Sequence, residues 1–338
     1  MTKNEVEELM RDGVFPFDTK SKVTLIETPI SFILLKGTYA YKIKKNITLS
    51  FLDFSTSKKR KHYCYEELRL NKRLAKETYL DVLPIVKANK QWQIKSKSTT
   101  ALEYAVRMKR IDTSLQLDLQ LKKKRVNKKP IQKIAQQIAA FHLAEKTLKP
   151  NYDPFFLSRE FADIRSFQPT IKKIVGEDHF NLVEQSIHLS DAIVFLLQDV
   201  IKARVTDGFF KDCHGDLHSK NIFLTSPPTI FDCIEFKTEF REIDVLNEIA
   251  FLCMDLESSG HTNLSTAFLK TYLKETGYSF NKNEELLFHY FKAYRACIRA
   301  KVAAIGLSQD QTDKKSISEV KKYSEAMADY LIKIVARI

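Results

Sequence analysis

The chain has 338 residues, of which 44% are hydrophobic and 29% are charged, and its formal net charge at pH 7 is +13. This composition excludes a disordered chain and leaves enough apolar surface for one two-lobed domain or two small domains. No apolar run reaches the roughly 18 residues of a membrane span, and the first residues lack the basic-then-apolar order of a signal peptide. The five cysteines form no C-x-x-C pair, which indicates reduced thiols and predicts a cytoplasmic protein.

Much of the positive charge lies between Leu119 and Ala144, where seven residues are basic and none is acidic. Such a run usually forms a solvated face or a mobile loop, and it can also bind nucleic acid, acidic lipid or an anionic substrate. Nucleic acid is disfavoured as a partner because Phe141 is the single aromatic residue in the run. The test of that alternative is salt-sensitive binding.

The first hundred residues predict a strand-rich region with one helix. Gly37 suits a tight hairpin turn, and Ser55 or Thr56 can cap the helix, whose apolar residues recur at near-helical spacing. Alternating or clustered β-branched and apolar residues predict strands at 22–26, 31–35, 39–44, 83–86, 92–94 and 102–108.

From Asp112 onward the pattern changes to helices, interrupted by a hairpin at 221–236. The sequence therefore predicts an α+β fold of two lobes: a small β-rich lobe at 1–110 and a large helical lobe at 111–338. The predicted helices are 131–145, 191–204, 244–257, 264–276, 284–305 and 316–336.

The stretch C-H-G-D-L-H-S-K-N-I-F-L at 213–224, followed by I-F-D-C-I-E-F at 230–236, contains the residues best suited to chemistry. Asp216 can face a hydroxyl nucleophile while Asn221 faces a metal, and Asp232 can complete a magnesium site on nucleotide phosphates. Capping of turns is the alternative role for these side chains.

His214 and His218 are four residues apart, which raises the alternative of a zinc site. A metalloprotease-type site needs both histidines on one helix and a glutamate after the first, whereas Gly215 follows His214 here. Zinc is therefore disfavoured. We expect His214 to brace the loop through hydrogen bonds.

The motif H-G-D-L-H-x-x-N resembles that of the aminoglycoside phosphotransferase and choline kinase superfamily, where it replaces the H-R-D-x-x-x-x-N of protein kinases. The resemblance implies a protein-kinase-like fold that uses ATP and Mg²⁺, with Asp216 as catalytic base, and Asn221 and Asp232 on the metal. The resemblance makes 1–110 the nucleotide-binding lobe and 111–338 the lobe that carries the catalytic loop and substrate site, with nucleotide expected in the cleft. It also places His218 where protein kinases have a lysine, so that His218 can face the transferred phosphate.

The same resemblance extends over roughly 200 residues in the expected order. Segments 40–42, 66–67 and 103–108 look like the lysine strand, the glutamate helix and the hinge, which makes Met108 a nucleotide contact. Four further segments look like a bacterial branch known as aminoglycoside phosphotransferase family enzymes, which implies no particular substrate: E-T-P-I-S at 27–31, Y-K-I-K-K at 41–45, F-L-D-F-S-T at 51–56 and L-N-K-R-L-A at 70–75.

Two lysines on the predicted strand compete for the phosphate-binding role. A small residue two positions earlier shares the face of the lysine and floors the adenine pocket, which favours Lys42 with Ala40 over Lys44. The carboxylate that pairs with Lys42 is expected to be Glu67, beside the buried stripe of the following helix, with Glu66 as the alternative.

The chain also departs from the kinase pattern. No G-x-G-x-x-G precedes Lys42, so any loop that covers phosphates must be Glu27–Ser31, which contains no glycine. Glu235 and Phe236 follow where protein kinases have phenylalanine and glycine, which argues against regulation by an activation loop. Many relatives of the branch carry a C-terminal P-loop domain, and because no G-x-x-x-x-G-K-[ST] occurs, the sequence predicts a stand-alone kinase-like protein.

The leading hypothesis is an ATP- and Mg²⁺-dependent O-phosphotransferase that acts on a hydroxyl of a small, non-cationic acceptor. The alternative is a non-catalytic, nucleotide-binding pseudokinase or scaffold, which the missing glycines would favour. Residues near 145–210 and in the last helices are expected to contact the acceptor. The sequence leaves open the identity of the acceptor, the choice between ATP and GTP, and the oligomeric state.

Overall fold

The structure, a computed structural model, describes residues 1–17, 20–49 and 52–338. Phe51, the first residue of the F-L-D-F-S-T segment, lies outside the described residues.

The chain forms two compact units, each made of two segments. The first unit contains Met1–Arg125 and Lys220–Arg241, and the second contains Val126–Ser219 and Glu242–Ile338. The stretch at 213–224 therefore contributes residues to both units. The lobe boundary expected between residues 110 and 111 stays a prediction.

The described strands of the first unit are β1 (Thr24–Glu27), β2 (Ser31–Lys36), β3 (Tyr39–Lys44), β4 (Thr48–Leu49), β5 (Leu52–Asp53), β6 (Tyr79–Ala88), β7 (Gln91–Ile94), β8 (Glu103–Lys109), β10 (Ile222–Phe223) and β11 (Thr229–Ile230). Six of them form one antiparallel sheet in the order β1, β2, β3, β8, β6 and β7, while β4 pairs with β5 and β10 with β11. β3 has the bounds predicted from its alternating residues, and Gly37 takes a positive φ of 54° in the turn before it.

In the part of the first unit that the structure describes, the α-helices are α1 (Lys3–Asp12), α2 (Ser57–Asn71) and α3 (Leu117–Lys122). The Thr56 hydroxyl caps α2 by accepting the Lys59 N–H at 3.2 Å, so that Thr56, rather than Ser55, is the capping residue. The sequence reasoning missed α1, although a capping box between Thr2 and Glu5 was the available signal.

The second unit is mainly helical, with a short antiparallel pair of β9 (Phe210–Asp212) and β12 (Glu242–Asp244). Its core contains α8, in which every residue from Val245 to Leu256 is buried. The helices are α4 (Lys128–Ala144), α5 (Phe155–Ala162), α6 (Gln168–Ile174), α7 (Glu177–Thr206), α8 (Val245–Ser258), α9 (Thr262–Thr276), α10 (Lys282–Gln309) and α11 (Lys314–Val335).

A buried arginine joins three elements of the second unit. Arg204, near the end of α7, is 2% exposed, and its guanidinium donates to the Asp244 carboxylate of β12 at 2.8 Å and to Glu284 of α10 at 2.8 Å. A planar guanidinium satisfies two carboxylates in fixed directions, so Arg204 fixes how α7, β12 and α10 pack.

None of the helices in the described ranges is long and apolar enough to cross a membrane. All five cysteines lie within these ranges as buried thiols.

Candidate active site

Lys42 of β3 lies at the centre of the ion pairs in the first unit. Its Nζ is 2.8 Å from Glu67 Oε1 on α2 and 2.6 Å from Asp232 Oδ1 after β11. Burial would lower the pKa of Lys42, but the negative charges of Asp232 and Glu67 outweigh it and raise the pKa well above its ordinary value. Lys42 therefore remains a cation between two carboxylates.

Glu67, the partner expected for Lys42, is fully buried on α2. Burial would raise its pKa, but the charges of Lys42 and Lys44 outweigh burial and lower the pKa. The alternative partner, Glu66, instead pairs with Arg69 one turn along the same helix, at 2.8 Å. The structure thus brings together Lys42 and Glu67, not Lys42 and Glu66.

Lys44, which the sequence reasoning set aside, also lies in this cluster. Its Nζ donates to Glu67 Oε2 at 2.7 Å and to Glu235 Oε1. Both Lys44 and Glu67 side chains are 0% exposed, so Glu67 is an ion-pair partner of two lysines on the same strand. The alternation of β3 was the available signal, since residues 42 and 44 must share one face of a strand.

Asp232 has an uncommon backbone conformation, with φ at 66°. Aspartate tolerates the left-handed region better than most residues, but the conformation persists only where neighbouring contacts hold it. Such a contact follows immediately, because the Cys233 N–H donates to Asn71 Oδ1 at the end of α2 at 2.9 Å. The Asp232 side chain is 42% exposed, so its carboxylate is accessible to a ligand.

Asn221 and Asp232 lie at the same end of the β10–β11 hairpin. The Asn221 carbonyl accepts the Phe231 N–H at 3.1 Å, and the next pair in register is Ile222 with Ile230. An amide oxygen and a carboxylate are hard donors of the kind that Mg²⁺ prefers. The two residues therefore fit a magnesium ion as a donor set.

Ala40 and Met108 are directly paired on β3 and β8. Both are buried, in an apolar cluster that also includes Tyr79 and Val106 and against which Phe231 packs. Ala40 lies two residues before Lys42 on β3, so the two side chains share one face of the strand.

The turn from Glu27 to Ser31 connects β1 and β2. It is closed by the Thr28 N–H donating to the Ser31 carbonyl at 2.9 Å, and the Ser31 N–H donating to Thr28 Oγ1 at 2.9 Å. Its role above nucleotide phosphates stays a prediction.

The second unit contains Asp216 and His218. His218 Nε2 lies 3.3 Å from Asp216 Oδ2, and the ring also packs edge-on against Phe251 of α8. Burial would raise the pKa of Asp216, but the imidazole of His218, followed by the guanidinium of Arg299, outweighs it and lowers the pKa. Asp216 is therefore held as a carboxylate, which is the form that can accept a proton.

Two residues that the sequence reasoning missed hold the loop before Asp216. Glu248 of α8 accepts the His214 N–H at 3.2 Å and the Gly215 N–H at 2.9 Å, while Arg295 of α10 donates to the Gly215 carbonyl at 3.0 Å. Gly215 has φ at 84°, a conformation that favours glycine. The only sequence signal was a charged residue at a buried position of an apolar helix.

His214 also braces the loop, as expected, because its Nδ1 accepts the Asp216 N–H at 3.3 Å. After the loop, the Ser219 N–H donates to Asp255 of α8 at 2.9 Å. Within the described residues, no group of three or more His, Cys, Asp or Glu side chains is arranged to hold a metal ion.

No protein-family model matches the chain. The curated relatives that it matches include uncharacterized proteins of Mycobacterium tuberculosis and Mycobacterium bovis, each 27% identical over 303 residues. These matches cover 88% of this chain and 58% of each relative, so the chain spans a little over half the length of these relatives.

Solved structures show the fold. A choline/ethanolamine kinase family protein from Mesorhizobium loti has a TM-score of 0.56 at 10% identity, with 99% of both chains covered. Choline kinase from Cryptosporidium parvum has a TM-score of 0.54 at 12% identity, covering 99% of this chain and 95% of that one. A thermostable mutant of an aminoglycoside phosphotransferase has a TM-score of 0.53 at 11% identity, covering 98% of this chain and 99% of that one.

The chain therefore has the protein-kinase-like fold that these small-molecule phosphotransferases share. This result confirms the two-lobed, kinase-like α+β fold class predicted from the sequence. At these identities, the likeness establishes the fold.

Proposed function

We propose that the protein transfers the γ-phosphoryl group of ATP, with Mg²⁺, to a hydroxyl group of a small acceptor. The observation that carries this proposal is the pair of contacts at Lys42, whose ammonium lies 2.8 Å from Glu67 and 2.6 Å from Asp232. A cation placed between a helix carboxylate and a carboxylate next to a hairpin suits nucleotide phosphates, which phosphoryl transfer must position.

Each residue of the first unit has a distinct task in this proposal. Lys42 binds the α- and β-phosphates, and Glu67 orients the Lys42 ammonium. Ala40 and Met108 contact the adenine through the apolar cluster on β3 and β8. Asn221 and Asp232 would hold Mg²⁺, which neutralises phosphate charge when it is bound.

Asp216 and His218 act on the acceptor side. The Asp216 carboxylate orients the acceptor hydroxyl and takes its proton, while the His218 ring faces the transferred phosphate. Glu248 and Arg295 fix the backbone before Asp216, so that its carboxylate keeps one position during transfer.

We further propose that the acceptor is neutral or anionic and that the protein acts in the cytoplasm. The formal net charge of +13 disfavours a polycationic acceptor, because like charges repel within a Debye length of about 8 Å at physiological salt. The buried cysteine thiols are compatible with a reducing compartment.

The decisive experiment combines nucleotide calorimetry with a phosphoryl-transfer screen. We expect ATP to bind in a magnesium-dependent manner. We also expect labelled phosphate to be transferred to a member of a panel of sugars, amino alcohols and nucleosides. Asp216→Asn provides the blank for the transfer assay. Binding of Mg-ATP without any Asp216-dependent transfer would instead support the non-catalytic scaffold, which the glycine-free Glu27–Ser31 turn favours.

A further inference from the structure

Lys44 connects three parts of the first unit that are far apart in the sequence. It lies on β3, and its ammonium contacts Glu67 on α2 and Glu235 in the segment after β11. The ammonium also lies 4.9 Å from the ring centroid of Phe54. Because Lys44 is fully buried, its charge is neutralised by protein groups rather than by water.

The two carboxylate oxygens of Glu67 are divided between two lysines. Oε1 lies 2.8 Å from Lys42 Nζ, and Oε2 lies 2.7 Å from Lys44 Nζ. The two lysines differ in their other partner, which is Asp232 for Lys42 and Glu235 for Lys44. The Asp232 side chain, the second partner of Lys42, is 42% exposed, whereas the Glu235 side chain, the second partner of Lys44, is 4% exposed.

This difference matters when the lysines encounter a ligand. Lys42 can turn toward an anion, because its second partner is accessible and can itself take a metal. If Lys42 were the sole cation near Glu67, such a movement would leave a buried carboxylate without a counter-ion, which is unfavourable. Lys44 supplies a second counter-ion, because its Nζ lies 2.7 Å from Glu67 Oε2 and does not depend on the contact that Lys42 makes with Oε1.

A second contact supports the same junction. Asn71, one turn after Glu67, accepts the Cys233 N–H at 2.9 Å and donates to the Glu67 carbonyl at 2.9 Å. The end of α2 is therefore tied to the 232–235 segment through Asn71 and, through Glu67 and Lys44, to Glu235.

We propose that Lys44 is a positioning residue that keeps α2 docked on the sheet, with Glu67 in place, whether or not Lys42 is engaged with a ligand. Movement of α2 is then not a means of regulating this protein. The consequence for nucleotide binding rests on the proposed function, but the docking of α2 can be measured without nucleotide.

The test replaces Lys44 and Glu235 together, as Lys44→Met with Glu235→Met, so that no unpaired charge remains from that pair. Cys64 of α2 is 0% exposed and packs with Val106 of β8, so its thiol reports whether α2 leaves the sheet. Alkylation rates of the individual thiols are read by mass spectrometry. The buried Cys253 and Cys297 of the second unit are internal references.

We expect Cys64 to react about tenfold faster in the double variant, with Cys253 and Cys297 unchanged, because local opening of α2 becomes easier. The matched control is Lys36→Met, which removes a buried lysine of β2 whose ammonium donates to the Ser21 carbonyl, and it should leave Cys64 protected. In the same double variant, the Kd for Mg-ATP should rise about tenfold, because Glu67 no longer fixes Lys42.

An unchanged alkylation rate of Cys64 in the double variant would overturn the proposal. An equal rise in the alkylation rates of Cys64, Cys253 and Cys297 would also overturn it, because it would indicate general destabilisation. If the parent protein binds no nucleotide, the proposed function is refuted. The alkylation rate of the Cys64 thiol would still decide whether Lys44 keeps α2 docked.

Discussion

Asp216 illustrates how one residue's environment prepares it for chemistry. Its side chain is 33% exposed, and its partial desolvation would favour the neutral acid, yet the adjacent His218 ring and Arg299 guanidinium keep its pKa below the ordinary value. In the proposed reaction, a carboxylate held in this form would orient the acceptor hydroxyl and accept its proton late in the transfer.

Asp216→Asn should leave the Kd for ATP nearly unchanged and lower kcat by at least about 100-fold, because a base acts in the transition state and little in nucleotide binding. Calorimetry and a coupled turnover assay measure the two quantities. A loss of kcat of tenfold or less would refute the assignment of Asp216 as the base.

Asp232→Ala should abolish the dependence of ATP binding on Mg²⁺, because its accessible carboxylate is the only anionic ligand proposed to hold the metal. Titrations of ATP with magnesium and with EDTA measure this dependence. The exposed Asp199 on α7, mutated to alanine, is the control. Binding of Mg-ATP by the Asp232 variant at the parent's affinity would place the metal elsewhere.

Glu248 makes stability depend on pH. Burial raises its pKa to about 7 from an ordinary value of 4.5, although Arg295 and two backbone N–H groups act in the opposite direction. The folded state therefore binds more protons than the unfolded state between these two values. The stabilisation due to neutral Glu248 is complete below pH 4.5 and is lost as the pH rises through about 7.

Glu248→Gln, which stays neutral, should accordingly gain stability relative to the parent when the pH rises from about 5 to about 8. Thermal unfolding at the two pH values measures the change. Glu285→Gln, at an exposed position of α10, is the control and should show no such trend. If the Tm of the Glu248→Gln variant differed from that of the parent by the same amount at both pH values, the prediction would be contradicted.

The helices of the second unit depend on a few buried polar contacts as well as on apolar packing. Arg204 contacts Asp244 of β12 and Glu284 of α10, and its guanidinium also lies 4.0 Å from the centroid of the Phe209 ring. These contacts tie the end of the 30-residue helix α7 to its neighbours.

Arg204→Met should lower the free energy of unfolding by about 3–5 kcal/mol, because it leaves buried carboxylates without their cation. Denaturant unfolding measures this loss. Arg159→Met is the matched control: Arg159 pairs with Asp153 where both side chains are more than half exposed, and its loss should cost at most about 1 kcal/mol. Equal losses for the two variants would show that burial of the Arg204 pair contributes nothing.

At the scale of the whole molecule, the excess of positive charge bears on the choice of acceptor. Three consecutive lysines, Lys122 to Lys124, lie at the end of α3. The Lys122 ammonium lies 3.1 Å from the Asp118 carboxylate, and the Lys122 side chain is 68% exposed. Exposed charges of this kind act on a ligand over a Debye length rather than by direct contact.

Neutralising Lys122, Lys123 and Lys124 should raise the KM for the acceptor and leave the KM for ATP unchanged, and kanamycin-like polycations should be poor acceptors. Steady-state kinetics with the acceptor from the screen test this prediction. The control neutralises Lys90, Lys95 and Lys97, exposed lysines near β7. Rapid phosphorylation of kanamycin would show that the net charge does not select the acceptor.

The sequence alone predicted the fold class, because strand alternation, helical periodicity and one loop motif are local patterns that backbone geometry imposes. The bounds of β3, the cap of α2 at Thr56 and the hairpin around 221–236 were available in the same way. The helices α5 and α6, of 8 and 7 residues, were missed because so short a segment carries little periodic signal and is stabilised by tertiary packing.

Only the tertiary structure decided which charges meet. Lys44 reaches Glu235 across 191 positions of the chain, and Glu248 meets the loop before Asp216 although its sequence context is an apolar helix. A local pattern shows that two residues share a face, but it does not show which remote carboxylate is buried against them. That choice depends on how the elements pack, since burial makes an unpaired charge unfavourable and so requires a partner, whatever its distance in sequence.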